Sequence, residues 1–230
     1  MGVWMKHPLI EVCAGALIRK NFVITARHCL KLVDEDDTKL KVRAGHLFRD
    51  DNSSPDIQTR RVKRIFRYPA VDGEKDENDL AILKLFSAFR LTKFVNIIGL
   101  PFRRNEYVRE TATMLGWGIT ESGMVSQVLR KIQLRILTDK NCANMINATE
   151  KPATHFLCGM HDNLKSVVCG GDSGGPLVIH NENQPQEDKL VGILSFSYDN
   201  DEDVCDSLQP SVTMDIAYYI KWIMNVLEMI

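Results

Sequence analysis

Ser173 lies in the stretch GDSGGPLVI, between an aspartate and two glycines. A serine hydroxyl is a weak nucleophile until a base, usually a histidine, removes its proton, and a carboxylate that holds the histidine makes that base effective. The sequence offers both partners, His28 in FVITARHCL and Asp79 in ENDLAILKL. Each of these residues taken alone is more typical of a structural position. Together they predict a serine nucleophile whose glycine neighbours approach a substrate oxygen.

A second group of chemically active side chains lies in HFLCGMH, where His155, Cys158 and His161 follow each other at three-residue spacing. This spacing is compatible with zinc, but a structural zinc site needs a fourth ligand. Using Cys158 as a ligand would also leave Cys142 without a partner. We therefore predict no metal and no other cofactor.

Short apolar segments must position these residues. Runs such as FVIT, LAILKL, GPLVIH and LVGILSFS are separated by polar turns and have the composition of antiparallel strands in barrels or sandwiches. The C-terminal stretch IAYYIKWIMNVLEMI is interrupted by Lys221, Asn225 and Glu228. That pattern indicates an amphipathic helix docked on the core, since a membrane span needs a longer apolar run.

Composition limits the possible partners and the compartment. The formal charge is −1, from 29 basic and 30 acidic residues, so we expect neither nucleic acid nor membrane as a partner. Six cysteines and two glycosylation sequons, at Asn52 and Asn147, indicate a secreted, extracellular protein. The six cysteines allow several pairings, among which spacing alone does not choose. No signal peptide is apparent after Met1, so we expect one upstream of it.

The motifs TARHC, NDLAILKL and GDSGGPL, in the order His, Asp and Ser, resemble those of the chymotrypsin-like serine endopeptidases. The resemblance covers residues 3–224 and includes GWG at 116–118 and MDIAYYIKWI near the end. It implies an all-β fold of two antiparallel six-stranded Greek-key β-barrels packed together, with a C-terminal α-helix. The implied single peptidase domain, residues 1–230, divides into an N-terminal barrel (1–100), a linker (101–112), a C-terminal barrel (113–214) and the helix (215–230).

The resemblance also implies a role for each residue of the motifs. Ser173 attacks the scissile carbonyl and forms an acyl-enzyme, His28 carries the proton, and Asp79 orients the imidazole. The backbone N–H groups of Gly171 and Ser173 form the oxyanion hole. The family pairing of the cysteines is Cys13–Cys29, Cys142–Cys158 and Cys169–Cys205.

Specificity is expected to depend on a pocket whose floor is Val167 and whose walls carry Ser197 and Ser211. A valine at the floor cannot bind a basic side chain, and the serines narrow the pocket. Ser195 and Phe196 are expected to line the substrate, with Ser195 also in a polar network near Asp79. We predict cleavage after small or medium apolar residues.

Activation by proteolysis is the point where this sequence departs from its relatives. In the family, a newly freed α-amino group pairs with the aspartate before the nucleophile, here Asp172, whereas only 12 residues precede Cys13 in this chain. An unpaired Asp172 is expected to turn out of the interior and leave a zymogen-like site. The expected partners are protein or peptide substrates and serpin-type or other protein inhibitors, bound by a monomer. The alternative is a weakly active homologue that binds or regulates.

Overall fold

The computed structural model describes every residue except 1, 8–9, 34–38, 70–77, 104–106, 121, 147–154, 162–167, 182, 199–204, 207 and 230. In the described chain, twelve antiparallel strands form two closed six-stranded barrels, and a helix follows the last strand. The predicted fold class is confirmed. Closing each sheet on itself leaves neither barrel with a free edge strand.

The first barrel has the strand order β1-β2-β3-β6-β5-β4 and is closed by pairing between β1 and β4. Its interior is filled by branched apolar side chains such as Leu17, Ile24 and Val42, all fully buried. The β-branched residues Ile and Val favour strands because their stiff side chains pack well on a pleated surface. The strands are β1 (Gly2–His7), β2 (Ile10–Arg19), β3 (Phe22–Thr25), β4 (Lys41–Ala44), β5 (Gln58–Arg67) and β6 (Ala81–Leu85).

The second barrel has the order β10-β11-β12-β9-β8-β7 and is closed between β7 and β10. Its first strand begins at Thr111, inside the segment predicted as a linker. A short helix that the sequence did not predict, α1 (Asp139–Met145), precedes β9. The strands are β7 (Thr111–Gly116), β8 (Arg130–Ile136), β9 (Phe156–Met160), β10 (Pro176–Ile179), β11 (Lys189–Phe196) and β12 (Ser211–Asp215).

The C-terminal helix α2 (Ile216–Glu228) starts where the Asp215 side chain accepts a hydrogen bond from the Ala217 N–H over 2.9 Å. Its buried stripe belongs to an apolar core cluster that contains residues of both barrels. Tyr219 in that stripe donates to Asn78 Oδ1 over 2.8 Å and so ties the helix to the residue before Asp79. Within the described chain, this and every other helix falls short of the length and apolar content of a membrane span.

Three disulfides, Cys13–Cys29, Cys142–Cys158 and Cys169–Cys205, link the six cysteines as the resemblance implied. The first joins β2 to the turn that carries His28. In the chain-entropy account, closing a loop of this size contributes about 3 kcal/mol to stability. Because Cys158 is bonded to Cys142, it is not available to the zinc site considered from the sequence.

Candidate active site

His28 and Asp79 meet at one end of the first barrel. His28 begins a one-turn 3-10 helix shortly after β3, Asp79 lies just before β6, and these two strands are hydrogen-bonded neighbours. The His28 N–H donates to Asp79 Oδ1 over 2.7 Å, and His28 Nδ1 lies 2.6 Å from Asp79 Oδ2. A carboxylate opposite Nδ1 favours the imidazole tautomer with its proton there. Nε2 is then left to accept a proton.

Asp79 is buried, with an exposed fraction of 4%, and Ser195 from the second barrel donates to its Oδ2 over 2.6 Å. Burial by itself raises the pKa of Asp79, but the hydrogen bond from the His28 ring, the His28 charge, the Ser195 hydroxyl and the His28 N–H together lower that pKa below its usual value. Donors from both barrels therefore hold Asp79 as a carboxylate. The predicted contact between Ser195 and Asp79 is confirmed.

Ser173 lies in the turn that precedes β10, and this turn is hydrogen-bonded to both barrels. Its carbonyl oxygen accepts from the Ala14 N–H of β2 over 2.8 Å, and Gly174 donates to the Leu194 carbonyl of β11 over 2.9 Å. These two hydrogen bonds fix the position of the turn relative to β2 of the first barrel and β11 of the second. The Ser173 turn therefore lies at the junction between the barrels.

The same contact brings Ser173 to the His28 side of that junction. Ala14 follows Cys13, whose disulfide partner Cys29 is adjacent to His28, and His28 Nε2 lies 3.8 Å from the Cys29 sulfur. Among the described residues, Ser173 Oγ has no hydrogen-bond partner, so the bond to His28 Nε2 is not formed in this structure. Catalytic bonds of this kind are often long without substrate and tighten when it binds.

The Ser173 turn exposes two backbone donors. Gly171 has φ +90°, in the left-handed region that favours glycine, and the Gly175 N–H closes the turn on the Asp172 carbonyl over 2.8 Å. Neither the Gly171 N–H nor the Ser173 N–H donates a hydrogen bond within the described chain. Two unused N–H groups beside a serine can bind a developing oxyanion.

Asp172 is half-buried, and its carboxylate lies against Gly116 and Gly118 of the second barrel. Its Oδ1 accepts from the Gly118 N–H over 2.7 Å and its Oδ2 from the Cys169 N–H over 3.3 Å. A Cβ at Gly116 would lie 1.8 Å from Oδ1 and one at Gly118 would lie 2.4 Å from Oδ2, so the slot exists only because both residues are glycine. The expectation that Asp172 turns away without a partner is therefore wrong, because two backbone N–H groups bind its carboxylate.

The charge of Asp172 is nevertheless poorly compensated. Burial raises its pKa above the usual value, and the N–H groups of Cys169 and Gly118 oppose that rise only in part. Among the described residues, no cation pairs with this carboxylate. Burial therefore disfavours the ionised form of Asp172.

Trp117, between the two slot glycines, anchors the slot to the first barrel. It is buried, its Nε1–H donates to the Leu47 carbonyl over 3.0 Å, and its ring stacks on His46 with centroids 5.1 Å apart. The motif GWG was predicted only as part of the family resemblance, whereas in the structure its glycines accommodate the Asp172 carboxylate. A single sequence does not show that an aspartate will pack against glycines more than fifty positions away.

The predicted substrate-binding residues are only partly described. Phe196 is 37% exposed and packs edge-on against Phe156 and Tyr198, with centroids 6.1 and 5.6 Å away. Ser211 is buried at the start of β12, and Ser197 directly follows β11. The pocket floor, Val167, and the sequon residue Asn147 lie outside the described residues. Asn52 is exposed and donates to the Asp50 carbonyl.

Two closed β-barrels with a carboxylate-bound histidine and a glycine-flanked serine at their junction define a serine endopeptidase. The chain belongs to the trypsin family, whose model, described as Trypsin, matches residues 3–223. The predicted resemblance is confirmed by this match.

Curated relatives agree with the family assignment. Granzyme M of Rattus norvegicus is 32% identical over 228 residues, covering 98% of this chain and 83% of the relative. Granzyme M of Homo sapiens is 31% identical over 220 residues, which is 94% of this chain and 79% of the relative. Trypsin-1 of Astacus astacus is 29% identical over 213 residues, covering 92% and 86% of the two chains.

Proposed function

We propose that Ser173 is the nucleophile, His28 the general base and acid, and Asp79 the residue that orients His28. Ser173 Oγ adds to the scissile carbonyl carbon while its proton passes to His28 Nε2, and the same proton then goes to the leaving amine as the C–N bond breaks. Water repeats these steps on the acyl-enzyme and releases the acid. The observation that carries this proposal is the double contact of Asp79 with His28.

The Gly171 and Ser173 N–H groups are proposed to bind the oxyanion of each tetrahedral intermediate. Their support is the positive φ of Gly171 and the lack of another acceptor for either N–H within the described chain. Asp172 is proposed to hold this turn in place, since its carboxylate is bound on the far side by the Gly118 N–H. A formed turn favours a competent site over a zymogen-like one.

Cleavage after small or medium apolar residues is the proposed specificity. Val167 at the floor would offer no charge, and the hydroxyls of Ser197 and Ser211 would narrow the walls. The half-exposed ring of Phe196 supports a flat apolar surface beside the substrate. Pocket methylenes discriminate by only about 1–3 kcal/mol, so the preference should be soft.

The proposed setting is extracellular. Three disulfides persist in oxidising compartments, and the exposed Asn52 leaves its sequon accessible to glycosylation. Protein or peptide substrates and protein inhibitors of the serpin type are the proposed partners of a monomer.

A homologue that binds or regulates without turnover is the competing function, and the unformed bond between Ser173 and His28 is what favours it. A fluorophosphonate probe, which reacts with activated serines, distinguishes the two. We expect one probe per chain on the wild type and none on Ser173→Ala, because only an activated Ser173 reacts. Ser126→Ala, which removes another buried hydroxyl, should label like the wild type. A folded wild-type chain that stays unlabelled and cleaves no peptide would support the non-catalytic homologue.

A further inference from the structure

The two halves of the chain carry opposite charge. Residues 1–100 contain 18 Lys and Arg against 13 Asp and Glu, whereas residues 101–230 contain 11 against 17. The first half therefore has a net charge of +5 and the second of −6, and the overall −1 conceals both. An asymmetry of this size between halves is a reason to look for a charged partner.

The positive charge is concentrated on three adjacent strands of the first barrel. β4, β5 and β6 contain eight Lys and Arg residues and not one Asp or Glu. Three of the eight donate to backbone carbonyls: Arg43 to Asp51, Arg60 to Ala88 and Arg67 to Leu30 and Val33. The other five form what we call the basic strip: Lys41, Arg61, Lys63, Arg64 and Lys84.

The basic strip places like charges side by side on neighbouring strands. Lys41 lies directly opposite Arg61, and Arg64 directly opposite Lys84, on neighbouring strands. Like charges in such cross-strand pairs destabilise a sheet. Within the part of the chain that the structure describes, none of the five pairs with a carboxylate. The strip therefore lowers the stability of the free protein, and a bound polyanion would remove that repulsion.

Aromatic rings hold the strip's guanidinium groups in place. Arg61 lies 5.5 Å above the Phe86 ring and Arg64 lies 5.0 Å above the Phe66 ring. Stacking limits the motion of these side chains, so less entropy is lost when an anion binds. Each guanidinium also occupies one face of its ring, and that face is then unavailable for stacking on a nucleic acid base.

We propose that the basic strip binds a linear sulfated polysaccharide of the extracellular space. On one face of a sheet, side chains repeat about every 6.6 Å along a strand (two residues) and about every 4.8 Å between strands, and charges at this spacing suit a chain with repeated sulfate groups. The three disulfides agree with the compartment in which such chains occur. The interaction uses one side of the first barrel and needs neither Ser173 nor His28.

Binding to heparin tests the proposal independently of catalysis if Ser173→Ala is the parent protein. The double variant Arg61→Gln/Arg64→Gln should bind about tenfold more weakly at physiological salt, as expected for losing two exposed ion pairs. Counterion release further predicts that the slope of log K against log salt decreases by about two. Arg61→Lys/Arg64→Lys, which keeps the charge, should retain most of the affinity.

The matched control is Lys131→Gln/Lys140→Gln, which removes two exposed charges from the second half of the chain. It should leave heparin binding within about twofold, and thermal unfolding should show that all variants are folded. An equal loss in this control would overturn the strip in favour of a general charge effect. No binding by the parent, or unchanged binding by Arg61→Gln/Arg64→Gln, would also refute it. Equal or tighter binding to single-stranded DNA or phosphatidylserine vesicles would show that the ligand is not a sulfated polysaccharide.

Discussion

Asp79 is buried and Asp172 is half-buried, and their carboxylates are bound in different ways. Asp79 receives hydrogen bonds from the His28 ring, the His28 N–H and the Ser195 hydroxyl, and its pKa is lowered. Asp172 receives two backbone N–H bonds, and its pKa is raised. The difference comes from the donors, since burial acts on both in the same direction.

The two carboxylates therefore have different proposed roles. The Asp79 carboxylate is balanced by a group that itself gains positive charge when it accepts a proton, so its charge serves the reaction. In the proposed mechanism the Asp172 carboxylate serves as a latch, because its Oδ1 accepts from the Gly118 N–H and connects the Ser173 turn to the slot formed by Gly116 and Gly118. Replacing either aspartate should therefore affect a different property.

The largest effect is expected from Asp79→Asn. The amide keeps the shape of the side chain but offers N–H where His28 Nδ1 donates, which favours the tautomer unable to take the proton of Ser173. We expect kcat to decrease by about 10⁴-fold with little change in KM. Steady-state hydrolysis of a peptide substrate measures this.

A second His–Asp pair provides the control for that substitution. His180 Nδ1 lies 2.8 Å from Asp188 Oδ1, outside the active site and largely exposed. Asp188→Asn should leave kcat within about twofold, since exposed pairs contribute little. A kcat for Asp79→Asn as high as that of Asp188→Asn would contradict the orienting function of Asp79.

Gly118→Ala tests the latch and should have the next largest effect. The new Cβ would lie 2.4 Å from Asp172 Oδ2 and displace the carboxylate, so the turn that presents the Gly171 and Ser173 N–H groups would shift. Losing one oxyanion donor costs about 10²–10³-fold in kcat, which is the decrease we expect.

The control for this clash is Gly123→Ala, where an added Cβ meets no atom within 4 Å. The Gly123→Ala variant places an alanine at a positive φ, which destabilises the backbone, but its Cβ clashes with no atom. Comparable activity of the two alanine variants would show that the position of Asp172 does not govern the turn.

Asp172→Asn should affect stability rather than chemistry. A raised pKa in the folded state means that the folded chain binds the proton more tightly, so ionisation above about pH 4 lowers the free energy of unfolding of the wild type. The loss begins at the unfolded pKa and is complete above the raised folded pKa. Relative to the wild type, Asp172→Asn should therefore gain stability as the pH rises from the unfolded pKa through the raised folded pKa of Asp172.

Urea unfolding with the disulfides intact measures this gain at each pH. Asp79→Asn should change in the opposite direction: a lowered pKa stabilises the wild type above the unfolded pKa, and that stability is lost as pH falls through the folded value. Any constant cost of placing the new side-chain amide against the Cys169 N–H leaves the pH dependence of Asp172→Asn untouched. Parallel pH curves for wild type and Asp172→Asn would refute the uncompensated charge.

The sequence predicted those features that local motifs carry. His28, Asp79, Ser173 and the three disulfide pairs followed from a resemblance spread along nearly the whole chain, and so did the two barrels. The helix α1 was missed because its seven residues are too few for a helical period to show. Its start is marked only by Thr138, whose side chain accepts from the Asn141 N–H.

Two other features required coordinates because they depend on distant residues. The slot for Asp172 joins glycines and a carboxylate more than fifty positions apart. The sequence around a glycine does not show which side chain will pack against it. The net charge near zero did not indicate the basic strip, because it is the sum of two halves with opposite net charge. Only the register of β4, β5 and β6 shows that its charges lie side by side.

The smallest effect is expected from Ser195→Ala, which removes one of the three donors to Asp79. Both contacts with His28 remain, so Asp79 stays a carboxylate near neutral pH and the histidine keeps its tautomer. We expect kcat to fall about fivefold, on the scale of one hydrogen bond, with KM unchanged because the Ser195 backbone is intact. Ser126→Ala, which removes another buried hydroxyl that donates to a backbone carbonyl, is the control and should leave kcat unaltered. A decrease in kcat for Ser195→Ala near that of Asp79→Asn would mean that the Ser195 hydroxyl, as much as the carboxylate, positions His28.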